Sequence, residues 1–320
     1  MADQRKSPAR ATVADWVMLA LLVAVGGSSF AMIRSAVETI PPAVITVGRL
    51  WVGAIVLYIV MKQAGRKLPP LIAPSAKGLT LHTEWRWMIV IAIIGYVGPF
   101  FIFPWAQQYI DSGLAGIYMA FMPIWTVVLA YLFAGENLGR NKIIGFFLGF
   151  SGVIILMGPS VIGNAADTNL LAQLAVLIAT FCYATYAVLT RRAPPIRPRA
   201  FAAGTLLAAA IIATPMLLLT DLKASEWTIK GVLNVIGLGL GPTGLAGILI
   251  IILIQRAGAG FMALANYITP LWAVAMGAVI FSERLGAEAF AALAIILAGV
   301  AISQRKPTPR SKIIESRTRL

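Results

Sequence analysis

The sequence predicts an all-α integral membrane protein: ten transmembrane helices arranged as two inverted five-helix repeats around a central cavity. Three observations carry that prediction. Hydrophobic residues make up 59% of the 320 and charged residues only 12%, where a soluble domain carries about 25% charged residues; the mean hydropathy is +0.86. Apolar runs of about 20 residues, long enough to cross a ~30 Å hydrocarbon layer, recur along the whole chain. A pattern of Pro, Trp, Glu and Gly then reappears after 147 residues. The runs show no strand-like alternation, so the spanning element is a helix and not a barrel strand.

The runs place spans at 13–33, 41–61, 87–108, 113–134, 142–160, 170–190, 200–220, 231–254, 260–281 and 286–303. The polar stretch from Lys62 to Arg86, which carries Pro69 and Pro70 in a row, reads as a loop. The basic segment Met1 to Arg10 leads into an apolar run with no small-residue cleavage site, which predicts a retained first helix. Trp16, Trp85 and Trp87 read as anchors at the membrane interface.

The formal net charge is +14. On a soluble chain that would suggest nucleic acid; in the loops and tails of a membrane protein it sets orientation and meets anionic lipid. With both termini cytoplasmic, 21 Lys and Arg fall inside and 4 outside, and Arg49 alone remains within a span. This distribution predicts a multi-pass protein of the inner (plasma) membrane with cytoplasmic termini. Its expected partners are the bilayer and a small solute, an amino acid or metabolite; nucleic acid is not among them, and the oligomeric state is left open, a monomer being one option. One cysteine (Cys182), one histidine (His82) and no phosphate-binding loop predict no metal, no cofactor and no enzymatic activity.

At the 147-residue offset Pro123 matches Pro270, Trp125 matches Trp272, Glu136 matches Glu283, and Gly113 matches Gly260. Gly98-Pro99 matches Gly241-Pro242 after a four-residue adjustment. Five spans separate the matched points, so the second half enters the membrane inverted, an architecture of secondary transporters. The chain therefore divides into a tail (1–12), a first repeat (13–160), a second repeat (170–303) and a basic tail (304–320).

The stretches PIWTVVLAYLFAGENLG from Pro123 and PLWAVAMGAVIFSERLG from Pro270, with GGSSFAMIRSAVETIPP from Gly26 and Arg49 in VGRLW, resemble the drug/metabolite transporter superfamily, in particular its ten-helix EamA-type branch. The resemblance covers nearly the whole chain. It implies five-plus-five inverted helices around a central cavity, and transport of amino acids, nucleobases, drugs, phosphorylated sugars or nucleotide sugars. The second half departs from the pattern at FAAGTLLA around Gly204, where no arginine stands.

The paired breaks at Gly98, Pro99, Gly241 and Pro242 read as hinges, because proline removes a backbone donor and interrupted helices in both halves mark midplane sites. Helical spacing puts Tyr96, Phe100 and Gln107 on one face, Tyr118, Met122 and Trp125 on another, and Tyr183, Tyr186 and Thr190 on a third; Asn266 and Tyr267 precede Pro270. Ser29 joins them from the first helix. Such polar groups face a bundle interior, as cavity wall or as glue between helices. Arg49 has no carboxylate at matching depth, so it either binds a substrate anion or bonds helix carbonyls. Glu136 and Glu283 read as caps for the helices that follow them. Gly145 and Gly149 form a close-packing step. No Asp, Glu or His is expected buried in a span, which disfavours a proton relay. The resulting expectation is an exporter of amino acids, aromatic or neutral, or related metabolites, working by alternating access. Multidrug or nucleotide-sugar transport is the alternative within the superfamily; a scaffold or membrane enzyme is the alternative from another class.

Overall fold

The computed structural model describes residues 11–75, 78–134, 139–158, 168–194, 196–222 and 226–304. Lys77, Glu136, Leu138, Lys223 and both charged tails, which entered the charge and repeat arguments, lie outside the described residues. Nine helices among the described residues are long and apolar enough to span a membrane: α1 (Val13–Val37), α2 (Pro42–Gln63), α3 (Thr83–Ala106), α4 (Ser112–Phe133), α5 (Arg140–Met157), α6 (Thr168–Arg192), α7 (Pro198–Leu219), α8 (Ile229–Gly258) and α9 (Gly260–Phe281). A tenth, α10 (Ala287–Ser303), is shorter and equally apolar.

All ten follow the apolar runs, and the differences lie at their ends. α1 extends far enough to hold Arg34 in its last turn, and α8 extends past Arg256. Arg49 is therefore not the single cation on a membrane helix. The expectation of no buried carboxylate in a span is also corrected. Asp15, in the first turn of α1, is buried and completes a capping box with Thr12. There the free backbone N–H groups of a helix start favour a carboxylate. Its Oδ1 accepts from Arg256 Nε at 2.8 Å, tying α1 to α8.

The stretch 62–86 is more than a loop. It carries a small antiparallel hairpin, β1 (Ile72–Ser75) paired with β2 (Gly78–Leu81), Ile72 opposite Leu81. Trp85, expected at the interface, is instead buried and donates from Nε1 to the Pro69 carbonyl at 3.1 Å. The proline segment that precedes the hairpin lies against it and supplies that acceptor. Trp16 remains half exposed, edge-on to Phe261.

The principal helix pairings show an internal symmetry. α1 packs on α8 and α9; their counterparts, α6 on α3 and α4, are also in contact. α2 packs on α8, and α7 on α3; α2–α7, α4–α9 and α5–α10 are their own counterparts. Adding or subtracting five thus converts the pairing scheme into itself. Because five passages separate equivalent helices, they run in opposite directions.

α5 and α10 form the tightest seam. A Cβ on Gly299 would sit 2.7 Å from both the Gly145 carbonyl and the Gly149 amide, so the two backbones touch. Gly152 meets the Ala292 carbonyl and Ile296 in the same way. Small residues permit this approach where lipid offers no hydrophobic drive for helix association.

Glu283 differs from its expectation. It caps a helix, but not the α10 that follows it. Its carboxylate accepts from Ser112 N (2.9 Å), Ser112 Oγ (2.7 Å) and Gly113 N (2.9 Å), completing the start of α4 in the other half. Ser282, in the left-handed region at φ 55°, reverses the chain at the end of α9 and directs the next side chain across to α4. Asp111, immediately before α4, lies beside it; burial first, then the Glu283 charge, push its pKa above the ordinary carboxylate value, against the pull of Arg34.

Candidate functional site

The two Gly-Pro breaks become matched widened turns. π-helical segments occupy Ile93–Val97 in α3 and Gly239–Leu245 in α8. Proline cannot donate to the carbonyl four residues back and its ring collides with it. The chain responds by skipping one residue: Gly98 N–H bonds Ile93 O, and Ala246 N–H bonds Gly241 O, each five residues apart. π-bulges of this kind recur at functional sites.

Threonines repair what the prolines leave open. Pro242 deprives Leu238 O of its donor, and Thr243 Oγ1 bonds that carbonyl at 2.8 Å. Pro104 does the same to Phe100 O, and Thr46 Oγ1 of α2 reaches it at 2.8 Å while lying 2.7 Å from Pro42 O of its own helix. Both carbonyls thereby keep a hydrogen-bond partner at a depth where lipid could supply none.

Arg49 sits between the two breaks. It is 5% exposed. Its guanidinium carbon lies 3.7 Å from the centroid of the Phe100 ring, and its Nε and Nη2 donate to Thr243 Oγ1 at 3.4 and 3.3 Å. Phe100 follows Gly98-Pro99, and Thr243 follows Gly241-Pro242. One cation therefore touches the equivalent residue of each repeat. Because the Thr243 proton goes to Leu238 O, its lone pairs are free to face Arg49. Placing an arginine at this depth costs about 3 kcal/mol on insertion scales. A desolvated cation–π contact recovers about 2 kcal/mol, and the two long hydrogen bonds add to it. Among the described residues Nη1 makes no protein hydrogen bond.

Aromatic rings extend the site away from Arg49. Tyr96 packs edge-on against Phe100 and Tyr186, with centroids 5.5 Å away in each case, and its hydroxyl is 3.4 Å from that of Tyr186. Tyr183 stacks on Phe103 at 6.1 Å. Gly95 makes the α3–α6 contact possible, since a Cβ there would strike the Tyr186 ring. Arg49, Tyr96, Phe100 and Tyr186 thus form one connected neighbourhood, and Tyr183 packs against the same apolar cluster as Phe100 and Tyr96.

The other candidates lie elsewhere. Gln107 is buried at the far end of α3; its carbonyl accepts from Arg34 Nη1 at 2.7 Å, and neither amide atom has a partner among the described residues. Tyr118 is fully enclosed and donates to Gln173 Oε1 at 2.7 Å, binding α4 to α6. Met122 and Trp125 pack on Leu129, Ala184 and Val188 along the same joint. Ser29 bonds its own helix at Gly26 O, whereas the adjacent Ser28 receives the indole of Trp272. Asn266 and Tyr267 are half-buried on α9, and Tyr267 packs against the main apolar core. Thr46, Phe103 and Thr243 were missed. The signal for Thr243 was its place after the second Gly-Pro, equivalent to Phe100.

Apolar helices in a self-symmetric pairing scheme, with paired helix breaks closing on a buried cation, define a polytopic helical membrane protein with two equivalent halves. The EamA-like transporter family matches residues 15–158 and again 170–304. The chain belongs to that family, and so to the drug/metabolite transporter superfamily. Similar proteins include an uncharacterized transporter YoaV of Bacillus subtilis, 21% identical with 89% of this chain and 95% of the relative covered. Another is the uncharacterized inner membrane transporter YedA of Escherichia coli, 24% identical over 88% and 87%. A third, the aromatic amino acid exporter YddG of Ancylobacter novellus, is 25% identical over 86% and 92%. A solved crystal structure of a protein 19% identical superposes over 97% of this chain and 100% of that one with a TM-score of 0.62, which shows a shared fold.

Proposed function

We propose that this protein exports amino acids with aromatic or neutral side chains, or closely related metabolites, across the inner membrane by alternating access. The two five-helix units, 13–160 and 170–303, would rock about their shared passage with both termini in the cytoplasm. The observation that carries this reading is the placement of Arg49 between the breaks of α3 and α8. A guanidinium offers planar paired donors that suit a carboxylate, and its ties to Thr243 are long enough to yield to a stronger acceptor. Tyr96, Phe100, Tyr183 and Tyr186 supply aromatic faces beside it for an apolar side chain. A carboxylate captured by Arg49 would loosen the Thr243 contact and so couple binding to the α8 break.

The likeness to an aromatic amino acid exporter supports the same class of solute, and the likeness to an inner membrane transporter supports the location. The test is uptake of labelled phenylalanine and tryptophan by proteoliposomes containing the purified protein. Flux no greater than in empty vesicles removes the substrate class. Arg49→Lys keeps the charge and loses the planar fork; it is expected to cut flux at least tenfold while the thermal melting curve stays near that of the parent.

A further inference from the structure

A cavity of about 260 Å³ opens at the end of the bundle where α2 and α8 finish and α7 begins, well away from Arg49. Its rim carries three arginines, Arg66, Arg197 and Arg199, and its wall is aliphatic, with Leu57 from α2 and Ile248 and Ile251 from α8. None of the three guanidinium groups has a hydrogen-bond or ion-pair partner among the described residues. Arg197 also borders an adjoining cavity of about 320 Å³ whose lining includes Lys67, His82 and Glu84. No ion pair forms between Glu84 and any of these arginines among the described residues. The start of α7 opens on the rim with no side-chain cap, so its first amides add to the positive field.

Polarity changes with depth. Leu57 lies six residues before the end of α2, about 9 Å below the rim at 1.5 Å per residue; Ile248 lies seven residues before Gln255, about 10 Å along α8. A free inorganic anion would use the rim and leave the wall bare. A phospholipid uses both, with phosphate against the arginines and the first part of an acyl chain against leucine and isoleucine.

We infer that this cavity is a binding site for an anionic phospholipid of the leaflet facing the basic end of the bundle, its phosphate held by Arg66, Arg197 and Arg199. The occupant would bridge α2 of one half to α7 and α8 of the other. It would thereby bias how those helices separate. A zwitterionic lipid is disfavoured, because the cavity rim presents three cations and Gln255 but no carboxylate to match a choline or ammonium group.

The test uses the purified full chain in detergent, titrated with phosphatidylglycerol, phosphatidylcholine or inorganic phosphate, with thermal unfolding and native mass spectrometry as readouts. Phosphatidylglycerol is expected to raise the melting temperature by several degrees and to remain bound as one or two adducts. Phosphatidylcholine and phosphate should do neither. R66Q/R197Q/R199Q is expected to abolish the shift, whereas R191Q/R192Q, on exposed arginines outside the cavity, should keep it. The single variants R66Q, R197Q and R199Q should each weaken the response, which covers a triple variant that fails to fold. An equal shift with phosphatidylcholine, a shift with phosphate alone, or an undiminished response in the arginine variants would overturn the assignment.

Discussion

The α5–α10 seam and the α3–α8 pair are both rich in small residues, yet they use them for opposite ends. At the seam, Gly145, Gly149, Gly152 and Gly299 bring two regular helices into backbone contact with no room for a methyl group. At the breaks, Gly98-Pro99 and Gly241-Pro242 accompany a widened turn in each helix, and Arg49 lies between them. Proline is what separates the two cases. Glycine without proline lets regular helices close on each other; proline beside glycine removes a hydrogen bond and interrupts the regular turn. In the proposed mechanism the seam would serve as the fixed frame and the breaks as the moving parts.

The comparison can be broken first at the seam. Gly299→Ala puts a methyl group against backbone atoms that cannot withdraw; a loss of about 3 kcal/mol is expected, read as a markedly lower melting temperature in detergent. A variant that melts like the parent would show the seam to be loose. Next come the two breaks. Pro99→Ala with Pro242→Ala returns two donors and lets the π-turns relax to regular helix. Flux should fall about tenfold, a loss of ~1.4 kcal/mol in the transport barrier, with melting unchanged or raised. Unchanged flux would demote both breaks to packing features.

A smaller effect is expected where the halves are tied. Glu283→Gln keeps the shape but gives up the charge that receives three donors from Ser112 and Gly113; about 1 kcal/mol should be lost. The smallest concerns Asp111, whose folded pKa is raised by burial and by Glu283. A raised pKa means that the protonated acid suits the folded state. Its favourable contribution is therefore complete below the unfolded value and disappears as pH climbs through the folded one. Asp111→Asn should accordingly raise the melting temperature slightly at pH 7, and the gain should vanish as pH falls to about 4. A gain that persists unchanged into acid would assign it to some other cause.

Most of the helical frame was legible because lipid imposes length and polarity on every span. The breaks were legible because Gly-Pro changes local geometry whatever surrounds it. Arg49 stood out by charge, but its partners did not: Phe100 and Thr243 lie 51 and 194 positions away in the chain, and only the pairing of α2 with both breaks brings them together. Glu283 shows the same limit. A carboxylate before a helix reads as that helix's cap, and the left-handed turn at Ser282 that sends it elsewhere leaves no mark in hydropathy. Tyr118 and Tyr183 share the same residue type and similar spacing, yet Gln173 opposite one makes it a tie between helices, and Phe103 beside the other makes it part of an aromatic wall. Trp85 was misplaced because the short hairpin and its prolines gave an interfacial residue a partner.

The carboxylate at Glu283 also has a consequence for biosynthesis. It is made 171 positions after the serine it serves, so α4 emerges from the ribosome with an unfinished start. The chain must hold that end in waiting until nearly all of the protein has been inserted. Completion is therefore a late event that neither half can reach without the other, and a translation stall before Glu283 would leave an immature bundle open to quality control.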